Sequence, residues 1–410
     1  MAYKIGILAI MALVAAFDMI VDCLESKSAS RPIPENVADV YDAEAYQTWL
    51  RYFGERSGLL LRRHLVSALC AMLLIGCNVY ALIVGLFGVE NDYTAACIVV
   101  IGEGLLSQLW ILPFTYARDM GIEQRYGFNR MTKKIFFADA GKSLVINTGL
   151  SCGLTCALIG LHQSLGGLLV PAFLVVMLLF VLVSTFLSPV FTRIFNKLTP
   201  LEEGELRSKL QQLLDSNDCK VRNIYVMDGS KRSTKANAFF SGFGRMKTIA
   251  LYDTLIEKMT PDEIVAVFAH EMGHNKHKDT LKLMGLNMVS FTLMGLILWA
   301  LVSVPEIYVA FGFETVNYGF AFLLLSVCFG ALSPLVSMLQ NAMSRRFEYA
   351  ADRFAAEAGF GAAMQTGLKK LERANFGCLN PHPLLVKLYY SHPTTSQRLE
   401  ALEKLQKEAN

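Results

Sequence analysis

HEMGHNKHKDTLKLMGLNMVSFTLMGLILWALV, residues 270–302, joins two patterns that decide the fold between them. The first, His270-Glu271-Met272-Gly273-His274, places two imidazoles at i and i+4 on one helix face, with a carboxylate beside them. That arrangement suits a catalytic zinc: two neutral nitrogen ligands, and a base within reach of the water that the metal activates. The second is the run 283–304, which holds no charged residue. A bilayer crossing takes about 20 apolar residues, so this run reads as a span. Asn275-Lys276-His277-Lys278-Asp279 separates the two. The pentad therefore sits in water beside a membrane, not inside it.

Working backwards, Thr260-Pro261-Asp262-Glu263 supplies an N-cap, a proline at N1 and a capping-box glutamate for the pentad helix. Ile264 and Phe268, four apart, can pack one face of it. Six more apolar runs, near 5–24, 64–88, 94–116, 143–161, 167–192 and 317–340, bring the expected spans to seven. Asp18 and Asp22 interrupt the first, which reads as a signal anchor. Composition agrees: 53% of the 410 residues are hydrophobic and 18% charged, against about 45–50% and 25% in soluble domains.

Loop charges orient the bundle. Loops 89–93, 162–166 and 305–316 carry no Lys or Arg. The segment 25–63 carries Arg31, Arg51, Arg56, Arg62 and Arg63; 117–142 carries Arg118, Arg125, Arg130, Lys133, Lys134 and Lys142. By the positive-inside rule, 25–63, 117–142, 193–282 and 341–410 face the cytosol. The expected organisation is a membrane bundle over 1–192, a cytosolic catalytic domain over 193–282, spans over 283–340, and the second part of that domain over 341–410. A net charge of +3 without a basic run excludes nucleic acid as a partner. The nine cysteines show no CxxC pair and read as free, Cys219 and Cys378 among them facing water. Glu103, Gln108, Asn147 and Asn287 lie within spans, as interhelical hydrogen-bonding groups or as the lining of a wet interior.

A third protein ligand is required, with a fourth position left open. Glu348, in Phe347-Glu348-Tyr349-Ala350-Ala351-Asp352, is the leading candidate; Asp352, one turn on, suits an acceptor behind a zinc histidine. His277 is a rival, though Lys276 and Lys278 flank it. His274 lies nine residues before Leu283 and Glu348 eight after Gln340. If both spans continue as helices, each ligand stands roughly 12–14 Å outside the apolar core, so the hairpin of spans would bring them level. Glu271 is the expected base, and His392 and Arg398 the candidates for stabilising an oxyanion. Asn237-Ala238-Phe239-Phe240 and Thr248-Ile249-Ala250-Leu251 read as a β-hairpin whose edge could hold an extended peptide, with Asn237 hydrogen-bonding to it.

Further stretches include PENVADVYDAEAYQTWL, IEQRYGFNRMT, NKLTPLEEGELR, GSKRSTKANAFFSGFG, TIALYDTL, FEYAADRFA and SHPTTSQRLE. With the pentad, they make the chain resemble the CAAX prenyl protease 1 family, integral-membrane zinc endopeptidases of the gluzincin type. The resemblance implies a mainly α, polytopic fold: seven transmembrane helices enclosing a chamber, capped by a zinc-metallopeptidase domain. It implies one zinc on His270, His274 and Glu348, with Glu271 as base and Asp352 behind a ligand. It also implies Asn237 on the substrate edge and His392 near the oxyanion. The implied substrates are prenylated proteins ending Cys-a-a-X, or other membrane-associated peptides. The chain ends Lys407-Glu408-Ala409-Asn410, without a dilysine-type signal, so a bacterial inner membrane or the ER membrane is expected. Two other readings stand beside this one: a related quality-control protease of membrane proteins, and a non-catalytic scaffold using zinc to fold. The presence of Glu271 argues against the last, since a structural site needs no base.

Overall fold

The computed structural model describes residues 1–409 except 196, 218–222, 232, 236–237 and 242–247. Cys219 and Asn237 fall outside the described residues. The membrane part is built from α1 (Ala2–Ser28), α2 (Ala43–Gly76), α3 (Val79–Phe87), α4 (Asp92–Tyr116), α5 (Lys133–Leu165) and α6 (Leu169–Phe195). Asp42, Asn91 and Thr132 cap α2, α4 and α5, each accepting backbone N–H groups that the first turn would otherwise leave unpaired. The cytosolic loops expected at 25–63 and 117–142 are largely helical: α2 begins at Ala43, and α4 continues as a π-helical turn over Ala117–Glu123.

One expectation needs correction. The run 64–88 is not one helix: Asn78 adopts a left-handed conformation (φ 58°), which ends α2 and starts α3 at an angle. Asn78 is held there by Lys4, whose Nζ donates to Oδ1 at 2.8 Å. The seven expected spans are represented as follows. Six helices are long and apolar enough to cross a bilayer among the described residues; α6 offers a shorter apolar stretch, Val170–Val183.

After α6 come β1 (Leu198–Pro200), α7 (Glu205–Ser216), β2 (Asn223–Met227), β3 (Ala238–Ser241), β4 (Thr248–Tyr252) and α8 (Asp253–Lys258). The pentad helix α9 (Pro261–Lys276) is followed by α10 (Asp279–Val302), α11 (Pro305–Ala310) and α12 (Tyr318–Ala355). The chain closes with α13 (Gly361–Asn375), α14 (Pro383–Tyr389) and α15 (Thr395–Ala409). The expected hairpin is β3 antiparallel to β4, but it belongs to a four-stranded sheet ordered β1-β2-β4-β3, with β2 parallel to β4. β3 is an edge strand.

Four cores hold the layers among the described residues, the smallest of them around Tyr52, Ile122 and Phe128. One joins the spans at the end where α11 lies, around Tyr308, Phe311 and Phe320. A second packs α7, α8 and β4 onto α9 through Leu210, Leu255, Ile264, Phe268 and Met272. The third gathers Val37, Trp49 and Phe53 with Met364, Leu368 and Leu399. Each such side chain contributes about 1.5–3 kcal/mol on burial, so the segment between α1 and α2 is part of the water-facing domain's core. Inside the bundle, Glu103, Gln108 and Asn147 line a cavity of about 550 Å³ between α4, α5 and α12. Asn287 instead accepts a hydrogen bond from Gln340 at 2.8 Å, across α10 and α12.

Candidate active site

α9 starts where its sequence says it should. Glu263 N–H donates to Thr260 Oγ1 and Thr260 N–H donates to Glu263 Oε2, closing the capping box. Its apolar face, through Ile264, Phe268 and Met272, buries in the second core and turns His270 and His274 toward α12. Gly273 permits the approach: a Cβ there would meet Ala351 Cα at 2.9 Å.

The expectation of an unbroken helix from the pentad into the span fails on one side. α12 is continuous from Tyr318 through Glu348 and Asp352, but α9 stops at His277 and Lys278 turns left-handed (φ 57°) before α10 begins. The break has a use. It swings the first residue of α10, Asp279, back under the site, where its Oδ2 lies 3.1 Å from His274 Nδ1. The sequence signals Asp279 only as an acid five residues after His274.

His270 Nε2 and His274 Nε2 lie 3.1 Å apart; Glu348 Oε2 is 3.3 Å from the first and Oε1 3.2 Å from the second. Tetrahedral bonds of about 2.0–2.1 Å place neighbouring ligand atoms about 3.3 Å apart, so this triangle already has a metal's dimensions. Each Nδ1 faces a carboxylate, Asp352 Oδ1 at 2.8 Å and Asp279 Oδ2 at 3.1 Å. Both Nε2 atoms are thereby aimed at the centre of the triangle. Glu348 Oε2, though 3.3 Å from His270, is buried without an aligned hydrogen bond. An orphaned acceptor there fits a cation. Among the described residues, no other trio of His, Cys, Asp or Glu converges in this way.

Electrostatics agree. Burial pushes the His274 imidazole down, but Glu348 and Asp279 outweigh it and lift it to about 9. Burial pushes the Glu348 carboxyl up, but His270 and His274 hold it well below the usual carboxylate range. The pocket is built to carry positive charge, which a divalent metal would supply in place of protons.

Arg398 departs from expectation. Its guanidinium is buried, donating from Nε and Nη2 to the two oxygens of Asp352 at 2.8 and 2.6 Å, with Nη1 3.6 Å from Glu348 Oε2. Two arms of the fork are thus committed to Asp352, behind the ligand His270. His392 does face the open side: its side chain is 60% exposed and Nε2 lies 3.2 Å from Glu348 Oε1. Ser391 Oγ lies 2.9 Å from its Nδ1. His277, the rival ligand, is outside the triangle.

Comparison with known proteins follows from this geometry. Residues 200–406 match peptidase family M48, and residues 24–197 match the CAAX prenyl protease N-terminal region, described by five membrane helices. A CAAX prenyl protease 1 homolog of Arabidopsis thaliana is 34% identical, the match covering 77% of this chain and 74% of that one. The chain belongs to the CAAX prenyl protease 1 family, within peptidase family M48. Its relatives include CAAX prenyl protease 1 of Saccharomyces cerevisiae, 30% identical over 73% of this chain and 70% of that one. The Homo sapiens homolog is 28% identical, covering 77% and 75%. The fold matches the crystal structure of S. mikatae Ste24p with a TM-score of 0.92, covering 98% of this chain and 99% of that one at 24% identity. This family member is a multi-pass membrane metallopeptidase.

Proposed function

We propose that the metal is zinc, one per chain, and that the enzyme removes the C-terminal tripeptide from prenylated Cys-a-a-X proteins on the cytosolic side of its membrane. The observation that carries this reading is the triangle of His270, His274 and Glu348 at the foot of a membrane-spanning helix. Two imidazoles, one carboxylate and an open position are the donor set of a catalytic zinc. Bound there, zinc supplies Lewis acidity and makes water acidic near neutral pH.

The residues around it divide the remaining work. Glu271 takes a proton from water and returns it to the leaving amine; its charge reaches both His274 and Arg398. Asp352 and Asp279 fix the tautomers of His270 and His274. Arg398 keeps Asp352 ionised. His392, accepting a hydrogen bond from the Ser391 hydroxyl on Nδ1, keeps its N–H at Nε2 to donate to the charge that develops on the scissile carbonyl oxygen. The free edge of β3, with Asn237 just before it, supports binding of an extended peptide as an added strand. Orientation rests on the Lys- and Arg-free loops 89–93, 162–166 and 305–316. An ER membrane and a bacterial inner membrane both satisfy that charge pattern.

The test is cleavage of a farnesylated Cys-a-a-X peptide and its unprenylated twin by the purified protein. Release of the tripeptide from the farnesylated peptide is expected, at a higher rate than from its twin. Equal rates would remove the prenyl requirement and leave a general membrane-associated peptidase.

A further inference from the structure

The segment that feeds the edge strand β3 is fastened to the membrane bundle by an ion pair and by backbone contacts. Lys235 Nζ donates to Glu123 Oε2 at 2.8 Å and to the Tyr52 hydroxyl at 3.2 Å. Tyr52, 1% exposed, donates in turn to Glu123 Oε1 at 2.6 Å. The ammonium also sits 4.8 Å from the centre of the Phe128 ring, a cation–π distance. Three distant stretches meet here: α2, the π-helical turn that continues α4, and the run 233–235.

The backbone follows the same path. Thr234 N–H donates to Phe128 O at 3.0 Å, and Asn129 pairs with Ser233 as an isolated antiparallel bridge. Thr254 Oγ1 donates to Lys235 O at 2.9 Å, tying the same residue to the start of α8. Glu123 O accepts the N–H groups of Phe128 and Asn129 at 2.7 and 3.1 Å, so the loop that grips 233–235 closes on Glu123 itself. A buried carboxylate whose contacting cation is removed is strongly destabilising, because its charge is left uncompensated.

We propose that Lys235 is a positioning residue for substrate. By neutralising Glu123, it fixes the start of β3 against the water-facing end of α4 and holds the peptide-docking edge in register with the metal triangle. The proposal rests on reading β3 as that docking edge. Lys235 touches none of His270, Glu271, His274 or Glu348, so its loss should weaken peptide capture and leave the chemical step alone.

Lys235→Met in the full chain in detergent should raise KM for a Cys-a-a-X peptide about ten-fold, with kcat within about two-fold. Amide exchange over 238–241 should quicken in parallel. Lys235→Met combined with Glu123→Gln should be no worse than Lys235→Met alone, since no orphan charge remains. An unchanged KM with unchanged β3 exchange overturns the proposal, as does a fall in kcat at constant KM. Should Lys235→Met fail to fold, Glu123→Gln carries the same two readouts. N-methylation of the peptide's backbone amides tests the docking edge separately. If cleavage ignores it, the edge reading fails, while the exchange data still decide whether Lys235 anchors β3.

Discussion

A Cβ added to Gly273 would lie 2.9 Å from Cα of Ala351 and 3.2 Å from Cβ of Phe354. α9 and α12 therefore meet almost backbone to backbone inside the pentad, between the helix faces that carry the three metal ligands. Alanine is the better helix former by about 1 kcal/mol, so Gly273→Ala would stabilise α9 in isolation. In the protein it should push Glu348 and Asp352 away from the histidines. The expected outcome is a lower melting temperature and less zinc per chain by elemental analysis; a stabler, fully metallated variant would refute the close approach.

Glu271→Gln keeps the shape of the side chain and removes the base. Peptide hydrolysis should fall by about 10²–10⁴-fold, while elemental analysis still finds zinc near one per chain. Wild-type protein stripped with a chelator should lose activity and regain it on adding zinc. Retained activity in Glu271→Gln would overturn its assignment as the base.

Asp352 and Asp279 stand behind different histidines at 2.8 and 3.1 Å. Asp352→Ala and Asp279→Ala should each weaken metal binding about 10–100-fold, as loss of such partners does elsewhere. Competition with a fluorescent zinc chelator measures this directly. Wild-type affinity in Asp279→Ala would reduce that carboxylate to the N-terminal acid of α10.

His392 is exposed where Arg398 is committed, so the two should respond differently to truncation. His392→Ala should lower kcat by about 10²–10³-fold, as loss of an oxyanion donor does, with zinc retained. Arg398→Ala should release zinc, because Asp352 loses the bidentate partner that holds it behind His270. Equal zinc content in the two variants would contradict this division.

Acid should loosen the entry to α9. Burial pushes the Glu263 carboxyl up, but Lys370 at 2.7 Å and the Thr260 N–H at 2.8 Å outweigh it and hold it below its ordinary value of 4.5. A carboxyl depressed in the folded state stabilises it above the unfolded pKa, and that contribution disappears as pH falls through the folded one. Thermal melts of Lys370→Met should therefore lie below wild type at pH 7, and the gap should close as the pH drops below 4.5. A gap that persists in acid would mean the pair contributes by packing alone.

Much of the site was legible because it is written in local patterns. The capping box of α9 needs four consecutive residues, the two imidazoles need one helical turn, and Glu348 and Asp352 need the same spacing on α12. The hairpin of β3 and β4 likewise shows as two short apolar runs around a glycine-containing turn. What escaped was set by single backbone torsions. Lys278 gives no sign in its side chain that it will turn left-handed, yet that turn delivers Asp279 to His274. Asn78 does the same to the second span, where hydropathy sees only an uninterrupted apolar run. The partnership of β2 and β4 is parallel and needs a long connection, which alternation within a strand does not encode.

By itself the sequence determined a helical membrane protein with the donor atoms for one metal and a marked charge asymmetry between its loops. These follow from periodicity, composition and spacing, which act over a few residues at a time. Tertiary structure alone decided that Arg398 backs Asp352, and that Trp49 and Phe53 share a core with Leu399. It also decided that Lys235 reaches Glu123. Each is a contact between residues far apart in the chain, and such contacts exist only once the separate segments have packed together.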